Sequence, residues 1–76
     1  MRKQRIEYNS SVDGLVAVAK RLSIYEDQYK MSSEDFYDRY VKGQAGDSKD
    51  FIEWANNYLH YLDLRQDVDI QLRHAG

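Results

Sequence analysis

The sequence predicts an all-α fold: three helices over about 11–28, 33–42 and 49–72, after a short N-terminal extended arm or strand. Apolar residues recur at helical spacing in three segments and alternate with polar ones only over residues 4–8. Glycine, serine and aspartate, the residues of caps and turns, stand between those segments. The chain has no proline, so nothing forces a helix to break.

Residues 1–9 read as a basic arm in which "QRIEY" alternates as a short strand does; residues 10–76 read as a single helical domain. In the first helix Leu15, Ala19, Leu22, Tyr25 and Tyr29 follow at steps of four, three, three and four, which draws one apolar stripe. Ser10 with Asp13 three residues on resembles a capping box, and Gly14 weakens the first turn slightly. The second helix has a fuller start. With Ser32 as N-cap, Met31 and Phe36 take the two positions of a hydrophobic staple, and Glu34 and Asp35 sit where the helix dipole favours anions. Lys42 lies in its last turn, and Gly43 stands where a left-handed residue ends a helix. "GQAGDS" is a turn, with Asp47 or Ser48 capping the third helix. There Phe51, Ala55, Tyr58 and Leu62 form one stripe, widened by Ile52, Leu59, Trp54, Tyr61, Val68 and Leu72. That arc exceeds the roughly 100° a surface helix needs, so this helix is central or meets two things.

With 76 residues the chain forms one domain at most, with a marginal core. It has no cysteine, which excludes disulfides and thiolate zinc sites and suits a reducing compartment. The longest apolar run, "GLVAVA", is too short for a secretion signal or a membrane span. A cytoplasmic protein without a membrane partner is expected. The net charge of -2 is unevenly spread. Residues 1–25 carry five bases against two acids, and residues 26–53 carry eight acids against four bases. A basic arm before an acidic middle fits two faces for two partners.

No phosphate-binding glycine loop, serine elbow or paired-acid motif is present. His60, Asp63 and Glu53 share a region of one helix, but ligands on a single helix cannot surround an ion. The chain is also small for an enclosed substrate pocket. An enzyme, a metal site or a cofactor is not expected. Nucleic acid is a second reading. Strand, helix, tight turn and helix is the element order of dimeric ribbon-helix-helix regulators, in which Arg2, Lys3, Gln4 and Arg5 would read bases or contact phosphates. The acids opening the second helix and the acidic total weigh against it.

A protein partner accounts for more of the sequence. Residues 29–62 hold five of the seven tyrosines, both phenylalanines and the only tryptophan. Aromatic side chains supply most interface hot spots, and tyrosine buries a ring while its hydroxyl stays wet. The apolar residues outnumber the core positions of so small a domain, so self-association into a homo-oligomer or a partner must cover some of them. The expected partner surface comprises Phe51, Glu53, Trp54, Tyr58, Tyr61 and Leu62 of the third helix with Tyr37 and Tyr40 of the second. A self-assembling helical module is the remaining alternative.

The stretches "YKMSSEDFYDRY", "KGQAGD" and "DFIEWANNYLHYLDL" together resemble small antitoxins of prokaryotic toxin–antitoxin pairs. Tyr29, Met31, Ser32, Ser33, Glu34, Phe36 and Tyr37 carry the first part of that pattern and Gly43, Gly46 and Asp47 the turn. Asp50 to Ala55 with Tyr58 and Tyr61 carry the last. Lys30 stands where the pattern has glycine, and Gln44 where it has an acid. The resemblance covers about 40 residues and omits the arm. It implies an inhibitor that binds and neutralises a small cognate toxin by covering it. On the reading of the aromatics above, Trp54, Tyr58 and Tyr61 would be its anchors.

Overall fold

The computed structural model describes residues 11–75. They form α1 (Ser11–Tyr29), α2 (Ser33–Val41) and α3 (Lys49–Ala75), the all-α three-helix class read from the sequence. The arm over residues 1–9, whether strand or coil, the nucleic-acid candidates Arg2, Lys3, Gln4 and Arg5, and the cap assigned to Ser10 lie outside the described residues. No helix of the described residues is long and apolar enough to cross a membrane.

Each break between helices is built from local hydrogen bonds. At the end of α1 the Met31 N–H donates to the Glu26 carbonyl at 3.2 Å while Lys30 takes a left-handed φ of +56°. This is a Schellman-type stop with lysine in the position that favours glycine. Ser32 then caps α2, its Oγ accepting from the Asp35 N–H at 3.1 Å. Met31 packs on the buried cluster that holds Phe36, as the staple requires. The α2 C-terminus is a full Schellman motif. The Gln44 N–H reaches the Arg39 carbonyl at 2.8 Å and the Gly43 N–H reaches that of Tyr40 at 3.1 Å, with Gly43 at φ +75°. Ser48, not Asp47, caps α3, accepting from the Phe51 N–H at 3.2 Å.

α1 and α3 run antiparallel. Tyr29 meets Phe51, Tyr25 meets Trp54, and Gly14 faces Leu64. A Cβ on Gly14 would lie 3.3 Å from a Leu64 methyl, so the bare backbone lets the two helices close up there. α2, at 9 residues or about 14 Å, is much shorter than α3, at 27 residues or about 40 Å. It covers only the first half of α3. The result is a thin body, 45 × 26 × 17 Å, in which three helices meet at one end and two continue beyond.

The fully buried apolar core is correspondingly small: Val18, Leu22, Phe36, Trp54 and Ala55. Trp54 is its centre. Phe36 stacks on it with centroids 3.8 Å apart and planes 1° from parallel, while Tyr25 and Tyr29 each stack at 5.5 Å. The indole N–H donates to Ser33 Oγ at 2.8 Å. Ser33 is itself buried, and its own N–H donates to Glu26 Oε2 at 2.9 Å. A relay of polar contacts thus ties the end of α1, the start of α2 and the second turn of α3 to one point.

Candidate protein-binding groove

The expected partner surface is dispersed over the fold. Trp54 and Phe51 belong to the aromatic core. With no accessible surface, Trp54 cannot touch a partner in this fold, and its expected role as an anchor is corrected to that of core centre. Phe51 is half-buried between the rings of Tyr29 and Phe36. Glu53 is exposed on another flank beside Arg21, Tyr25, Asn57 and His60. Tyr40 stacks loosely on Phe36 and faces the Gly43–Asp47 turn. Leu62 is exposed further along α3 and lines a separate shallow depression. The remaining three, Tyr37, Tyr58 and Tyr61, come together. Tyr58 packs 5.2 Å from Tyr37 and 6.2 Å from Tyr61, ring to ring, and all three are half-buried.

Tyr58, backed by Tyr37, and Tyr61 border a groove that all three helices build, with a volume of about 350 Å³. α1 contributes Ala19, Leu22 and Glu26, the cap of α2 contributes Ser32 to Glu34, and α3 contributes Tyr58, Tyr61 and Arg65. The groove exists because α2 stops short: past its N-terminus the furrow between α1 and α3 has no lid among the described residues. On α1 the same face continues from Ala19 back to Val16 and Val12, both half-exposed. The rim is charged, with Glu34 and Arg65 exposed on opposite elements. Burial raises the pKa of the Tyr58 hydroxyl first of all, and the nearby Glu34 charge adds to that effect while Arg65 opposes it. At neutral pH Tyr58 therefore presents a neutral phenol hydroxyl, able to donate and accept.

Sequence reasoning missed Ala19, Glu26, Ser33 and Arg65. Ala19 signals nothing by composition; its role is to be small where a groove passes. The Ser33–Trp54 bond joins residues 21 apart and has no local signature. The absence of a bulky residue at Ala19, on a face otherwise holding Val12 and Val16, was the one available sign.

The chain matches no family model, no curated protein and no solved structure.

Proposed function

We propose that this chain is a small protein-binding module of the antitoxin kind, which neutralises a cognate toxin by covering it and performs no chemistry of its own. The observation that carries the reading is the open three-helix groove with its half-buried Tyr58 and Tyr61, Tyr58 resting on Tyr37. A ring held half out of water against a charged rim has the character of an interface anchor. The exposed acids of α2 would complement a basic partner. The resemblance of residues 29–64 to antitoxins supplies the class of partner. The anchor role falls on Tyr58 and Tyr61, without Trp54.

The test is co-expression with the product of the neighbouring reading frame, followed by purification of the complex and titration calorimetry. A stoichiometric complex that suppresses the neighbour's toxicity is expected. Ala19→Arg, an exposed helix position where the new side chain fills the groove, should weaken it at least roughly tenfold without altering helicity. Tyr61→Ala should weaken it by a similar factor. No complex with the neighbour, or a complex indifferent to both substitutions, would count against the reading.

A further inference from the structure

Along the C-terminal half of α3 runs a second surface, part apolar and part charged. Leu62, Arg65, Asp69 and Leu72 follow at steps of three, four and three, the spacing of a coiled-coil seam. They line one shallow depression together with Gln66 and Val68. The same seam one turn earlier is Ala55 and Tyr58, where α3 meets α2. Past α2 nothing among the described residues covers it, and Leu72 is 68% exposed.

The order of these four residues is self-complementary. Reversed about Asp67, Leu62 falls on Leu72 and Arg65 falls on Asp69. Asp67 itself points to the opposite side of the helix, so no like charges meet on the axis. We propose that two copies of the chain pair antiparallel along this seam. Leu62 packs on the partner copy's Leu72, Arg65 pairs with the partner copy's Asp69, and each contact occurs twice, as a two-fold interface requires.

Two further observations fit this occupant. Asp69 engages Arg73 of its own helix through Oδ2 at 3.0 Å, which leaves Oδ1 for the partner's guanidinium. The facing of Gly14 and Leu64 sets Ser11 about level with residue 67, so half-exposed Val12 stands near the dyad and widens the contact. The seam is only three turns long. Three turns of one helix make a small contact beside the ~800 Å² per partner typical of a stable complex, so the dimer forms and dissociates reversibly with concentration.

The seam shares Arg65 and the Val12 face with the groove, so it is tested on the full chain without a partner. Sedimentation velocity should show the 9.0 kDa monomer converting to a species of twice that mass as concentration rises to the order of 100 μM. Leu72→Asp should leave it monomeric throughout with unchanged circular dichroism, since the residue is exposed. Arg65→Asp should weaken association, and the swap Arg65→Asp with Asp69→Arg should restore it, because the interface pairs return with their signs exchanged. A monomer at every concentration overturns the seam. So does a dimer that Leu72→Asp leaves intact or that the charge swap fails to restore. Because Ala19→Arg touches only the groove and Leu72→Asp only the seam, either reading can fail while the other holds.

Discussion

At the scale of single residues, two positions decide most. Lys30 adopts φ +56°, a region that costs an L-residue roughly 1–2 kcal/mol and glycine much less. Its ion pair with Asp27 is too exposed to offset this. Lys30→Gly should therefore stabilise the protein by about 0.5–1 kcal/mol, or roughly 3–6 °C in Tm for a domain this small. No change in a thermal melt would mean that the turn relaxes around lysine. Ser33 works the other way. Ser33→Ala leaves a buried indole N–H without an acceptor, a loss of about 1–3 kcal/mol in urea denaturation. The phenols add a pH dependence. The Tyr29 hydroxyl donates to Asp50 Oδ2 at 2.8 Å, which raises its pKa above the ordinary 10.0; burial does the same chiefly for Tyr25 and Tyr58. The folded state holds these protons more tightly than the unfolded chain. The stability they contribute is complete below pH 10 and is lost as pH rises through the folded-state values. Tyr29→Phe should flatten that alkaline decline.

At the scale of elements, the helices are held by their ends. Ser32→Ala and Ser48→Ala each remove a side-chain acceptor from a first-turn N–H and should each cost about 1 kcal/mol, additively, since the caps belong to different helices. These ends were legible in the sequence because capping is local: Ser32, Asp35, Phe36 and Gly43 do in space what their spacing says. Lys30 was not legible as a stop, because its conformation is imposed by α1 and α2 packing on either side of it. The end of α3 was also hard to read. The helix continues past Leu72 to Ala75 with no cap residue to mark a stop. The breadth of its apolar arc was visible, and its meaning is now concrete: one side meets α1, another meets α2, and the remainder is the seam.

At the scale of the whole molecule, tertiary contacts decided what composition could not. The surplus of apolar residues over core positions was countable, and nine large aliphatic side chains are indeed exposed among the described residues. Which aromatics would go inside was not, because Trp54, Tyr58 and Tyr61 have the same helical period and differ in how fully α1 and α2 close over them: Trp54 is clasped from both, Tyr58 meets only Tyr37, and Tyr61 lies at the edge. Trp54 is the residue on which the body depends. Trp54→Ala should cost about 3–5 kcal/mol, close to the total stability of so small a domain, so the variant should show little helix by circular dichroism at 37 °C. Tyr61→Ala, at the groove edge, should keep its helical signal. If Trp54→Ala stays folded while losing its partner, the division between core and groove drawn here is wrong.

The placement of that one indole also makes the protein its own reporter. Light at 295 nm excites only a ring clasped by Phe36, Tyr25 and Tyr29, at the point where three helices touch. Its emission should be blue-shifted and shielded from iodide until the junction comes apart. Occupancy of the groove or the seam, both built from other side chains, should leave the colour nearly unchanged. A single fluorescence trace during a titration can thus tell association apart from unravelling, with no label attached.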